Sequence, residues 1–134
     1  MARLILDTGV IIAGARGRVD MTALADTDDL AIPAIAVAEY LAGTLLDEDP
    51  GRAAAQRAYL DEVLRVLPVH DYDRAVADHH AALLAHVRRA GTKRGAHDLI
   101  IAATARATGR VLLTTDERAR FGELPEVAVR VVTN

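Results

Sequence analysis

Short apolar runs alternate with longer helical patterns along this chain. Five runs have the composition of buried strands: RLILD at 3–7, DLAIP at 29–33, RVLPV at 65–69, RVLLTT at 110–115 and VAVRVV at 127–132. Between them, apolar residues recur at helical spacing over 9–15, 33–46, 50–64, 71–89 and 97–108. Strands that alternate with helices usually pair in parallel. The pattern therefore predicts an α/β fold with a central, mainly parallel sheet flanked by helices.

No boundary between domains is visible in the sequence. The connections are short, as in the polar, glycine-containing segment 88–97, and no repeat or low-complexity tract interrupts the pattern. A chain of 134 residues with 51% apolar composition can form the core of one ordinary domain. We therefore expect a single domain over residues 1–134.

The residue types that are missing exclude several kinds of chemistry. The chain contains no Cys and no Ser, which rules out thiolate metal sites, cysteine nucleophiles and Ser-His-Asp hydrolases. Lys93 is the sole lysine, and Arg94 follows it, so a phosphate-binding GxxxxGK[ST] loop is also missing. Carboxylates are abundant, with 19 Asp and Glu against 16 Lys and Arg. An enzyme built from this chain would therefore rely on acids, which can hold a metal.

The amino-terminal segment gives no sign of membrane targeting. No signal peptide is visible, and the apolar stretch is interrupted by Asp7 and is too short for a membrane span. We therefore expect a cytoplasmic protein with no membrane partner.

Four acids occur where a functional site is expected. Asp7 ends the first predicted strand and Asp116 follows the fourth, and the carboxyl ends of parallel strands are where α/β proteins bind ligands. Glu39 and Asp98 lie within highly apolar helices, where a carboxylate is costly unless it is paired or binds a cation. Simpler roles stay open, namely a helix cap for Asp7, a turn residue for Asp116 and a salt bridge for the helical acids.

These acids lie within motifs that resemble a known family. The motifs are LILDTGVIIA, PAIAVAEYLAG, HDLIIAATA and GRVLLTTDERARFGEL, and in this order they resemble the PIN-domain nucleases, more narrowly the VapC-type ribonuclease toxins. The resemblance implies a three-layer α/β/α domain. It also implies that Asp7, Glu39, Asp98 and Asp116 surround one or two Mg²⁺ or Mn²⁺ ions. Thr8 and Thr115 are candidate accessory residues, and Glu117 could substitute for Asp116 as the fourth acid.

The resemblance implies a function that suits these residue types. Hard divalent cations prefer oxygen ligands, and a metal-activated water can attack a phosphodiester without Ser, Cys or Lys. The implied activity is an endoribonuclease that cleaves structured RNA such as tRNA or rRNA. The implied partners are a cognate antitoxin and a second copy of the chain, as a homodimer and a toxin–antitoxin hetero-oligomer.

Local positive charge could bind RNA despite the net charge of -3. The candidate residues are Arg16, Arg18, Arg88, Arg89, Lys93 and Arg94. Basic side chains attract phosphates, but they also complement the dipole at the end of a helix, and both interpretations stay open.

Three other functions remain as alternatives. A non-catalytic PIN-like module would bind RNA or protein without cleaving it, and a metal phosphatase would act on small esters. An HD-type metal phosphohydrolase would use the His-Asp pairs at 70–71 and 97–98, but such folds are all-helical. His79, His80 and His86 are expected on or just beneath a helix surface, as is His97, although its position beside Asp98 could bring it to a substrate.

Overall fold

The computed structural model describes residues 1–132, which form a parallel sheet between two layers of helices. The strands are β1 (Arg3–Leu6), β2 (Asp29–Pro33), β3 (Val69–His70), β4 (Val111–Thr114) and β5 (Val129–Val131). The helices are α1 (Thr8–Ala15), α2 (Met21–Thr27), α3 (Ala34–Leu46), α4 (Pro50–Val66), α5 (Arg74–Ala90) and α6 (Ala96–Thr108). Two 3₁₀ turns, Glu117–Ala119 and Phe121–Glu123, lie between β4 and β5.

Alternate residues of the central strands enter two separate apolar cores. In β1, Leu4 and Leu6 pack with α1, α3 and α4 on one face of the sheet, whereas Ile5 packs with α5 and α6 on the other. All three side chains are fully buried. Because successive side chains of a strand point to opposite faces, a strand buried on both faces is apolar throughout. The predicted α/β/α fold with a parallel sheet is confirmed.

The order of strands creates a crevice at the centre of the sheet. The order is β3-β2-β1-β4-β5, and every pairing is parallel. The chain extends the sheet from β1 to β2 and β3 on one side, then returns to add β4 and β5 on the other. After β1 the chain continues into the layer of α1, and after β4 it continues into the layer that contains Phe121. Ligands bind at such a switch point, outside the carboxyl ends of the strands.

The third strand differs from its prediction. Arg65 and Val66 belong to α4, and only Val69 and His70 form β3. The buried residues Leu60, Val63 and Leu67 repeat at helical spacing, so packing of this face against the core extends the helix beyond its predicted end. The apolar run was therefore the last turn of a helix followed by a very short strand.

Helix α2 was absent from the sequence prediction. Asp20 caps it by accepting a 3.0 Å hydrogen bond from the Ala23 amide, and Met21 and Leu24 pack against the core without being fully buried. One helix of only two turns with so weak an apolar face gives little periodic signal. No helix within residues 1–132 is both long and apolar enough to cross a membrane.

Two helical glycines provide opposite tests of packing. A Cβ on Gly14 of α1 would lie 2.2 Å from the Tyr59 hydroxyl, whereas a Cβ on Gly43 of α3 would meet nothing within 4 Å. We expect Gly14→Ala to destabilise the protein by about 1–3 kcal/mol through overpacking. Gly43→Ala should stabilise it by about 0.5–1 kcal/mol through helix propensity. Urea denaturation measures both, and equal gains in stability would contradict the packing of α1 against α4.

Candidate active site

Asp7 is held at the carboxyl end of β1, in the centre of the sheet. Its side chain is buried, and its two carboxylate oxygens accept separate hydrogen bonds. Oδ1 accepts from the Thr8 amide at 2.8 Å, and Oδ2 accepts from the Thr114 hydroxyl at 2.8 Å. Asp7 is also the N-cap of α1, with extended backbone angles. The helix-cap and active-site interpretations of this residue are therefore compatible.

Thr114 connects two of the candidate acids through a single hydroxyl group. Its Oγ1 donates to Asp7 and accepts a 3.0 Å hydrogen bond from the backbone amide of Asp116. The side chain is 1% exposed, so water does not compete for these bonds. Sequence analysis missed Thr114 in favour of its neighbour Thr115. Thr114 could have been identified from the sequence as a hydroxyl residue at the end of a predicted strand that is otherwise apolar.

Glu39 joins three helices at the same edge of the sheet. Its Oε1 accepts a 2.8 Å hydrogen bond from the Thr8 hydroxyl in α1. Its Oε2 lies 3.2 Å from Nδ1 of His97 in α6. Thr8 therefore donates hydrogen bonds to both acids, from its amide to Asp7 and from its hydroxyl to Glu39. His97 is 56% exposed and lies beside the site.

Burial and mutual repulsion disfavour the charges of Asp7 and Asp98. Burial raises the pKa of Asp7, and the charges of Asp98 and Glu39 add to this effect, although hydrogen bonds from Thr114 and Thr8 oppose it. Burial also raises the pKa of Asp98, with further contributions from Glu39 and Asp116. The Asp98 side chain accepts no hydrogen bond from the residues that the structure describes. These carboxylates are therefore electrostatically coupled.

The four predicted acids thus come together at one edge, but they do not form a ready-made metal cage. Within residues 1–132, no three His, Asp or Glu side chains are grouped closely enough to hold a metal ion as they stand. The donor set nevertheless fits a hard divalent cation, because it consists of carboxylate oxygens. A cation held by these carboxylates would also offset the mutual repulsion that adds to burial in raising the pKa values of Asp7 and Asp98.

The residues after β4 distinguish Asp116 from Glu117. Asp116 accepts a 2.9 Å hydrogen bond from the Arg118 amide, and its charge is one of those that raise the pKa of Asp98. Glu117 is exposed and begins the first 3₁₀ turn. Thr115 lies against α1, where a Cβ on Gly9 would be only 2.7 Å from the threonine hydroxyl. Of these two acids, Asp116 is the one whose charge acts on Asp98.

The predicted basic residues fall into two groups. Five are exposed, at the end of α1 and at the end of α5 with the segment that follows it: Arg16, Arg18, Arg88, Arg89 and Lys93. Arg94 is different, because its side chain is only 15% exposed and is bonded to the segment after β4.

The histidines do not support an HD-type enzyme. The parallel sheet is incompatible with that all-helical fold. His70 lies 3.4 Å from Asp73, whereas His80 accepts or donates a 2.8 Å hydrogen bond with Tyr72. His79 is half-buried and His86 is exposed, both on α5 as expected.

The fold and this edge define an α/β/α protein with a carboxylate-lined site at the switch point of a parallel sheet. A family model described as the PIN domain matches residues 4–126, and the chain belongs to this family. The resemblance inferred from the motifs is therefore confirmed.

Similar proteins agree with this assignment. The chain is 28% identical over 129 residues to Ribonuclease VapC of Rickettsia bellii (strain RML369-C), and the alignment covers 96% of each chain. DNA-bound VapBC from Salmonella typhimurium is similar in structure, with 26% identity, a TM-score of 0.83 and 98% coverage of each chain. VapBC-5 from Mycobacterium tuberculosis, a toxin–antitoxin family member, has 27% identity and a TM-score of 0.80 over 98% of this chain and 100% of that one.

The repulsion at Asp98 predicts a gain in stability when its charge is removed. Because the pKa is raised in the folded state, ionisation of Asp98 opposes folding at neutral pH. We expect Asp98→Asn to raise the Tm of the metal-free protein at pH 7 by about 1–3 °C. The gain in Tm should disappear as the pH falls below 3.8, the ordinary pKa of an Asp side chain. Below this pH, Asp98 is protonated in both the folded and the unfolded states.

Exposed Asp71 provides the control for this measurement. Asp71→Asn should leave the Tm nearly unchanged. A lower Tm for Asp98→Asn at pH 7, measured by calorimetry in EDTA, would show that its charge stabilises the fold.

Proposed function

We propose that this chain is a Mg²⁺- or Mn²⁺-dependent endoribonuclease and the toxin of a VapBC-type toxin–antitoxin pair. The observation that carries the proposal is the convergence of Asp7, Glu39, Asp98 and Asp116 at the switch point, with raised pKa values for Asp7 and Asp98. Its similarity to Ribonuclease VapC supports the choice of substrate class.

Each acid has a distinct part in the proposed site. Asp7 is fixed by two hydrogen bonds and provides the rigid ligand at the centre. Glu39 is oriented by Thr8, and Asp98 has free lone pairs directed at no donor within residues 1–132. Asp116 completes the set from the other side of the crevice. The chemistry that Mg²⁺ or Mn²⁺ supplies when bound is activation of water and stabilisation of charge on the phosphodiester.

The basic residues support a nucleic-acid substrate. Arg88 and Arg89 lie in the last turn of α5, with Lys93 shortly after, and Arg16 and Arg18 follow α1. Such side chains attract a phosphate backbone, while the acids keep the metal. We extend the proposal to a structured RNA such as tRNA or rRNA, which rests on the family resemblance alone.

An open groove supports the proposed antitoxin partner. It has a volume of about 900 Å³, begins near Glu39 and Arg16, and continues along α3 and α4 to the exposed Leu46. Apolar side chains beside a charged site suit a peptide that carries both apolar and basic residues. The similarity of this chain to the solved VapBC structures from other bacteria supports such a partner, and the proposal includes a homodimer within the hetero-oligomer.

The competing functions are less well supported. A non-catalytic module would have no need for four acids at one edge of the sheet, of which Asp7 is buried and Asp98 is half-buried beside other negative charges. A phosphatase for small esters would not need exposed basic residues both after α1 and at the end of α5. Cleavage of total RNA, with a chromogenic phosphate ester as the comparison substrate, separates the two enzyme classes.

Asp7 provides the most direct test of the proposed activity. We expect Asp7→Asn to lower the cleavage of total RNA by at least about a hundredfold, since the substitution removes the central ligand. The rise in Tm that Mn²⁺ produces in the wild type should also become smaller, because metal that binds only the folded state stabilises it.

The matched control is Asp71→Asn, which removes the same charge from an exposed position. This variant should keep both the cleavage and the response to Mn²⁺. Undiminished cleavage by folded, purified Asp7→Asn protein would refute the assignment.

A further inference from the structure

Among the predicted RNA-binding residues, Arg94 differs from the others because its side chain forms hydrogen bonds with other parts of the chain within residues 1–132. It lies between α5 and α6, and its guanidinium reaches across to the connection between β4 and β5. Nη1 donates hydrogen bonds to the backbone carbonyls of Ala119 and Arg120, the latter at 3.0 Å. Nη2 lies 3.3 Å from a carboxylate oxygen of Glu123. Arg94 therefore binds both 3₁₀ turns and the residue that separates them.

The segment that Arg94 binds begins directly after a candidate acid. Asp116 is the N-cap of the first 3₁₀ turn, and the Thr114 hydroxyl fixes its backbone amide. Arg120, which separates the two turns, has a φ of 50°, in the left-handed region that side chains other than glycine seldom adopt. Such a conformation persists where surrounding contacts impose it. The bond from Arg94 to the Arg120 carbonyl is a contact of this kind.

These contacts leave Arg94 poorly suited to contact phosphate. Two of its nitrogens already have acceptors in the protein, and the side chain is 15% exposed. Its neighbour Lys93 is exposed, and its side chain makes no hydrogen bond or ion pair within residues 1–132. The two adjacent cations therefore differ in what they can bind.

We propose that Arg94 is a positioning residue, which holds the segment after β4 so that Asp116 faces Asp98. The guanidinium suits this task because its planar fork can donate to carbonyls and a carboxylate together. Thr114 fixes the start of the segment and Arg94 fixes the turns that follow. The role rests on the proposed metal-dependent site, but the contacts with the 3₁₀ turns are independent of it.

The test compares Arg94→Gln with Lys93→Gln, two adjacent substitutions that each remove one positive charge. Hydrogen exchange of the amides of Arg120, Glu123 and Leu124 reports the order of the segment. Arg94→Gln should speed this exchange by about tenfold or more, because a local opening becomes easier. It should weaken the binding of Mn²⁺ by up to about tenfold, the lower end of the range for residues that orient a metal ligand, because Arg94 acts on Asp116 only through the segment that follows it. Lys93→Gln should change neither.

Binding of total RNA in EDTA separates positioning from phosphate contact. We expect Lys93→Gln to weaken this binding, whereas Arg94→Gln should leave it within about twofold of the wild type, since it removes no phosphate contact. Arg94→Lys keeps the charge without the fork, so it should restore part of the Mn²⁺ affinity. This variant also serves as the test if Arg94→Gln does not fold.

The proposal is overturned if Arg94→Gln, or Arg94→Lys in its place, weakens RNA binding while exchange and Mn²⁺ affinity stay at wild-type values. Failure of the proposed function is a separate result. It would appear as a wild-type protein that does not cleave RNA, and hydrogen exchange would still decide whether Arg94 holds the turns.

Discussion

The hydrogen bond from Thr114 to Asp7 joins the ends of the two strands between which the order of the sheet reverses. It is buried, 2.8 Å long and made by residues 107 positions apart in the chain. A hydrogen bond to a charged group is stronger than one between neutral groups, and its loss would leave the buried Oδ2 of Asp7 without its donor. Because the same hydroxyl accepts from Asp116, this contact fixes the relative positions of both strand ends and the acids that follow them.

The site opposes folding, and the two apolar cores offset its cost. Asp7 and Asp98 would be more easily accommodated as neutral groups, as their raised pKa values indicate. The strands are buried on both faces by helices, and this apolar burial provides enough stability to offset the cost of the two carboxylates. Such charges are common at functional sites. A charged group that destabilises the protein without its ligand is stabilised most when the ligand binds.

The acids of the proposed site were easier to identify from the sequence than the groups that orient them. Asp7 was visible because it ends an apolar run, and Glu39 and Asp98 because carboxylates are unusual in apolar helices. Thr114 gave a weaker signal, since threonine is common in strands.

Long-range contacts and weak periodicity account for the remaining differences. The role of Arg94 depends on carbonyls 25 and 26 residues away, so local composition suggested a phosphate-binding cation or a complement to a helix dipole, but not this role. Helix α2 was missed because its apolar face is slight. Arg65 and Val66 were assigned to a strand because a short apolar run does not distinguish the end of a helix from a strand.

A calorimetric titration of the wild-type protein with Mn²⁺ tests the central claim most directly. If the acids at the switch point form a divalent-metal site, binding should be saturable. It should also tighten as the pH is raised from 3.8, the ordinary pKa of these carboxyl groups, to neutral pH, because protons compete with the metal for carboxylates whose pKa values are raised. The absence of saturable binding, or an affinity that does not change with pH, would contradict the account.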